Sequence, residues 1–250
     1  MELKEIAKTF YFIRGLSRES RHWGNFLDVF SQKFKVKVKP IELPGVGYRY
    51  KEKCPNQIAD IVDDLRKNFH DTDQPIGIIS ISMGGMIALD WAHRFPKEIS
   101  HLCLINSSAS NLSSINERLT WKAIGTIPSL LFMKDLFSRE KKILELTCQN
   151  RESINATAKL YAEYANEFPV SKKNFFNQLH AASVFKVPNK LSGCNLVILN
   201  SENDQLVNPL CSLRLAENFQ VELFTNKKAG HDLVYDDPAW IIEVLKNKWT

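Results

Sequence analysis

Three side-chain types, far apart in the sequence, are those with which this chain could run nucleophilic chemistry. Ser82 lies in SISMGG (80–85), between a short apolar run, PIGIIS, and a helix-like segment, MIALDWAHRF. A serine at such a join can stand on a strained strand-to-helix turn with its hydroxyl pushed outward. The residues two before and two after must then be small. Ser80 and Gly84 meet that demand around Ser82, whereas Ser80 has the bulky Ile78 two before it. Ser82 is therefore the candidate nucleophile. A serine hydroxyl needs a base at neutral pH, and the base needs an orienting carboxylate. Of the six histidines, His22 and His70 fall at helix ends, His93 inside a helix, His101 at the amino end of a strand and His180 in a long helical block. His231, in the loop NKKAGHDLVYDD after the last strand, shares the strand-end edge with Ser82. The loop after LVILN offers Glu202 and Asp204 as competing carboxylates; Asp232 and Asp236, next to His231 in sequence, are expected to be solvated.

Such a site needs a scaffold that gathers strand ends. Apolar runs of strand length occur at 10–13, 36–43, 75–81, 99–106, 194–200 and 220–225. Between them lie segments of helical period, such as Trp23, Phe26, Leu27, Phe30 and Phe34, then Ile58, Ile61, Val62, Leu65 and Phe69. This alternation implies an α/β fold, with a mostly parallel sheet covered by helices on both faces. In such sheets functional groups collect at the carboxyl ends of the strands. The rhythm breaks from about 110 to 187, where no convincing strand occurs and aromatics are frequent. Residues 1–109 and 188–250 thus read as the core, and 110–187 as a helical lid inserted after the fourth strand.

Composition excludes several function classes. A formal net charge of +5, with acids interspersed, is too small for a nucleic-acid binder. Five widely spaced cysteines, with no Cys-x-x-Cys pair, argue against a disulfide framework or a zinc site. No apolar run approaches membrane-span length and the N-terminus lacks a signal-peptide core, so a cytoplasmic protein is expected. LPGVG (43–47) lacks the third glycine of a dinucleotide loop, with Tyr50 in its place.

With these residues in view, the chain resembles the α/β-hydrolase superfamily over nearly its whole length. The elbow matches Ser80 to Gly85, the acid loop matches Ser201 to Pro209, and the terminal Gly-His matches Gly230-His231. The resemblance selects Asp204 over Glu202 and implies a triad of Ser82, Asp204 and His231. It also implies an oxyanion hole from the N–H groups of Leu16 and Met83, with no metal or organic cofactor. Two departures are visible: Arg14-Gly15 stands where the family carries His-Gly, and Ser80 where glycine is commonest. The chain starts almost at the family's third strand, so the family's N-terminal hairpin is expected to be missing. Trp23 reads as a core residue of the first helix.

The lid holds eleven basic and seven acidic residues, a net +4. Its arrangement with SMGG is similar to bacterial esterases that demethylate pimeloyl-acyl-carrier-protein methyl ester. Less closely, Pro44-Gly45-Val46-Gly47-Tyr48-Arg49 resembles type II thioesterases. These similarities imply hydrolysis of a small acyl ester, with an acidic acyl-carrier protein docking on the lid. The alternatives are a carrier-protein thioesterase, an acyltransferase or carbon–carbon bond hydrolase on the same machinery, and a hydrolase fold kept as a non-catalytic ligand-binding protein.

Overall fold

The computed structural model describes residues 6–72 and 74–250. Residues 1–5, at the start of the expected core, lie outside it. Among the described residues six strands form one sheet: β1 (Thr9–Ile13), β2 (Lys37–Ile41), β3 (Ile76–Ile81), β4 (Ile99–Ile105), β5 (Asn195–Ser201) and β6 (Leu223–Asn226). Their order is β2-β1-β3-β4-β5-β6, and every ladder is parallel.

Period-two alternation divides the strand side chains between two apolar layers. In β1, Tyr11 and Ile13 face the layer built on α2 (Ile58–Phe69), α3 (Met83–Arg94) and α9 (Leu210–Phe219). Phe10 and Phe12 face α1 (Phe26–Phe34) and α11 (Pro238–Trp249) on the other side. Because both faces are covered, β3 is buried at all six positions, which is why IGIISI reads as a continuous apolar run. Trp23 is 2% exposed and packs on Phe12 and Phe26, as a core residue would. It sits, however, in a short 3-10 turn (Ser20–Trp23) rather than in α1.

Between β4 and β5 the chain runs through α4 (Ile115–Arg118), α5 (Trp121–Leu130), α6 (Leu136–Thr147), α7 (Ile154–Glu167) and α8 (Lys172–Val184). The α6–α7 pair has its own small core of Leu144, Cys148, Ile154, Ala158 and Tyr161. A last short helix, α10 (Leu233–Asp236), follows the loop bearing His231.

Candidate active site

Ser82 is the residue between β3 and α3, with φ 57° and ψ −123°. A non-glycine residue held there is strained, and the surroundings hold it firmly. Its N–H donates to Ile105 O at 2.8 Å, and its carbonyl accepts from Ser107 Oγ at 2.9 Å. The need for small neighbours has a different origin from that expected. A Cβ on Gly84 would fall 2.3 Å from Ile13 O, so α3 starts hard against the end of β1. The tight contact is between helix and strand, while Ser80 is buried and donates to Cys103 O. A Cβ on Gly15 would likewise lie 2.9 Å from Ser82 Cβ, which brings the loop after β1 against the serine.

Of the two competing carboxylates, the structure brings Asp204 onto His231 and leaves Glu202 exposed. Asp204 Oδ2 lies 2.7 Å from His231 Nδ1. Its Oδ1 accepts the N–H groups of Leu206 and Val207 at 2.8 and 2.9 Å. With both oxygens engaged and both side chains buried, the imidazole is fixed in one orientation. Ser82 Oγ and His231 Nε2 are not hydrogen-bonded to one another. Such bonds are commonly long until substrate is bound.

Among the described residues the N–H groups of Leu16 and Met83 donate to no protein acceptor. Met83 is the first residue of α3, where the backbone N–H groups have no intrahelical partner and the helix dipole favours an anion. Ser17 follows with φ 59°, and its N–H donates to Gln178 Oε1 of α8 at 2.8 Å, so a helix of the inserted block fixes the loop that carries Leu16.

The remaining histidines are accounted for elsewhere. His70 packs on Trp91, His93 and His180 are exposed, and His101 is buried against Phe10 and Trp249. His22 is buried against Tyr161. Burial first, then the Arg18 and Arg14 guanidinium groups, push its imidazole well below the usual histidine value. Arg18 Nη1 lies 3.2 Å from His22 Nε2, so protonation there would set two donors face to face.

Two expectations need correcting. Asp232 is not solvated: it is 6% exposed and takes both arms of Arg14, at 2.6 and 3.2 Å. Burial would raise its carboxyl, but the Arg14 guanidinium overrides this and holds it below the usual carboxylate range. The Arg14-Gly15 departure from the family pattern is therefore half of an ion pair that ties the Leu16 loop to the His231 loop. Asp236 is half-buried rather than free, accepting the N–H groups of Gly230, Gln149 and Asn150. Burial pushes its carboxyl up. Together with Asp232 N–H donating to Thr147 O, these bonds clamp the end of α6 to the His231 loop.

Asn106, absent from the expected site residues, connects three of these loops. It is buried directly after β4 with φ 49°. Its Nδ2 donates to His231 O at 2.8 Å and Ser201 Oγ at 3.1 Å, and its Oδ1 accepts Ser201 N–H at 2.9 Å. The residue before it, Ile105, holds Ser82 N–H. The only sequence signal was an asparagine at a strand end, a residue type that tolerates left-handed backbone.

The described residues contain no cluster of metal-ligating side chains. No helix among them is long and apolar enough to cross a membrane.

The fold is similar to several solved hydrolase structures. With 2-hydroxy-6-oxo-6-phenylhexa-2,4-dienoate hydrolase (BphD) from Rhodococcus sp. strain RHA1 the TM-score is 0.77 at 15% identity, covering 97% of this chain and 90% of that one. A putative lipase (Lip1) from Acinetobacter baumannii AYE gives 0.75 at 19% identity, covering 96% and 83%. The enol-lactonase from Burkholderia xenovorans LB400 gives 0.71 at 13%, covering 96% and 90%. Comparison with curated proteins returns no match. The sequence profile described as "Alpha/beta hydrolase family" matches residues 10–244, nearly the whole described sheet and the helices around it. The chain belongs to the alpha/beta hydrolase family.

Proposed function

We propose that the protein hydrolyses carboxylic esters through an acyl-enzyme on Ser82. The observation that carries this reading is the buried 2.7 Å contact between Asp204 and His231, at the strand-end edge where the strained Ser82 stands. Nε2 of His231 takes the Ser82 proton as Oγ bonds to the ester carbonyl carbon. The resulting oxyanion is met by the Leu16 and Met83 N–H groups, donors of a kind whose loss typically costs about 10²–10³ in rate. His231 then gives its proton to the leaving alkoxide as the C–O bond breaks. Water repeats the sequence on the acyl-enzyme, His231 taking its proton and returning it to Ser82. Asp204, bonded to Nδ1, orients the ring.

Within this class the finer reading is a methyl ester on an acidic acyl-carrier protein, supported by the exposed Lys159, Lys172, Lys173 and Lys186 of the inserted block, away from α5. The test is fluorophosphonate labelling followed by turnover of short free esters, acyl thioesters and carrier-linked methyl esters. Wild type labels and hydrolyses an ester, and Ser82→Ala does neither. An unlabelled wild type would return the chain to the ligand-binding alternative. Equal turnover of free and carrier-linked esters, insensitive to salt, would remove the carrier.

A further inference from the structure

α5 is an apolar helix that buries almost nothing. In WKAIGTIPSLLFM (121–133) Ala123 is the one buried residue. Trp121 is 88% exposed and Phe132 81%. Trp121, Ile124 and Pro128 follow one another along one side at i, i+3 and i+7, and a further turn carries the chain on to Phe132. Phe137, at the start of α6, is exposed as well. A helix on a water-facing surface normally turns its apolar stripe inward, and a contiguous exposed patch of this kind marks an interaction site.

The surrounding charge says what kind of partner fits. Lys122 and Lys134 lie within two residues of Trp121 and Phe132 in the chain, and α6, packed on α5, adds Lys141 and Lys142. Lys122 and Lys142 reach only the neutral oxygens of Gln205 and Ser129, and none of the four makes an ion pair among the described residues. Lys122, Lys142 and Arg151 line a shallow cleft of about 390 Å³ beside the stripe. Of the neighbouring acids, Glu117 pairs with Arg214 and Glu140 is buried on Arg18, while Asp135 caps α6 and Glu145 stands exposed in the cleft, fewer than the four lysines and Arg151 around them. The patch is thus aromatic at its centre and cationic at its border.

We propose that α5 and the turn after it dock on an anionic lipid bilayer, lying in the headgroup layer with Trp121, Ile124 and Phe132 inserted. Lysine-bordered aromatic helices fit such surfaces. Lysine is depleted at protein–protein interfaces, which favours the bilayer over an acidic protein. At ten residues α5 is far too short to span a membrane, so it lies along the surface. The docked face adjoins the candidate site. Thr120 N–H donates to Leu206 O, and Leu119 bridges Val207, the two residues whose N–H groups hold Asp204.

The test is flotation with vesicles of phosphatidylcholine alone or mixed with phosphatidylglycerol. The full chain carries Ser82→Ala, so binding is read apart from any turnover. Flotation with the mixed vesicles, weakened by salt, is expected, together with a blue shift in tryptophan emission from Trp121. Trp121→Ser and Phe132→Ser each lower partitioning by about tenfold, the worth of one buried aromatic side chain. Lys134→Gln with Lys141→Gln and Lys142→Gln removes the preference for anionic lipid. These side chains are exposed or partly so, and matching urea midpoints verify folding. Absence of flotation, flotation unchanged in both aromatic variants, or binding to an acidic carrier protein without binding to vesicles would each overturn the proposal.

Discussion

Asp232→Asn tests how the candidate site is held together. The substitution keeps the shape of the side chain but removes a charge whose partner, Arg14, is 3% exposed at its side chain. Arg18 is close by, paired at 2.6 Å with Glu140 of α6, which Arg139 also reaches at 3.5 Å, so two carboxylates answer three cations. Removing the Asp232 charge leaves the buried Arg14 without its partner, beside the partly buried Arg18. Breaking a buried pair from one side costs about 3–5 kcal/mol. At a urea slope of about 3 kcal/mol/M this lowers the unfolding midpoint by about 1–2 M. Arg14→Met combined with Asp232→Leu removes both charges and is expected to cost less than Asp232→Asn alone. The acid limb gives an independent sign. The folded carboxyl sits below its unfolded value of about 3.9, so the pair's stabilisation is complete above that pH and is lost as pH falls through the folded value. The gap between wild type and Asp232→Asn should therefore be flat from neutral to about pH 4.5 and narrow below it. A cost under about 1 kcal/mol, or a double variant as unstable as the sum of its parts, would refute the assignment of a buried, mutually dependent pair.

Three further outcomes follow from the same geometry. Asn106→Ala leaves Ser201 N–H and His231 O without their partners and puts alanine at φ 49°, and is expected to cost about 3–5 kcal/mol in urea unfolding. On the proposed function, its ester turnover should fall more than a uniform loss of folded protein explains, because a displacement of about 1 Å at His231, the proposed base, can cost about 10² in rate. His22 is held neutral, its folded value below the unfolded one of about 6.5, so it takes stability away as pH falls from about 6.5. His22→Phe, which keeps the ring contacts with Tyr161 and Tyr164, should flatten stability between about pH 6.5 and 4.5; an unchanged slope would contradict this. Burial pushes the Cys54 thiol up to about 12 and raises Cys103, Cys148 and Cys211 as well. Native iodoacetamide labelling near pH 8 should therefore reach Cys194 and spare the other four until denaturant is added, as read by mass spectrometry.

The strand–helix order was legible because local composition carries it. Parallel strands buried on both faces must be runs of apolar residues, as in IGIISI, and helices lying on them must repeat their apolar residues near 3.6. Ser82 was legible for the same reason, since an elbow needs a strand before it, a helix after it and no side chain at Gly84. The alternation also placed His231 on the strand-end edge that Ser82 occupies. Which carboxylate meets a histidine, by contrast, depends on loop direction in space. Glu202 and Asp204 are two residues apart, and chain connectivity alone leaves them equivalent. The backbone N–H groups of Leu206 and Val207 decide between them by turning Asp204 inward.

Asp232 shows the limit most plainly. Its sequence neighbours place it in a polar loop, and its partner Arg14 is 218 positions away, so nothing local distinguishes a solvated acid from a buried ionic tie. Asn106 is the same kind of case, a polar residue at a strand end until the His231 and Ser201 loops close over it. The sequence by itself determined the sheet, its covering helices and the positions of the chemically competent residues, because those follow from side-chain periodicity. Only the tertiary structure decided which of them face one another and which charges are out of water, because desolvation and hydrogen-bond direction are properties of the packed chain.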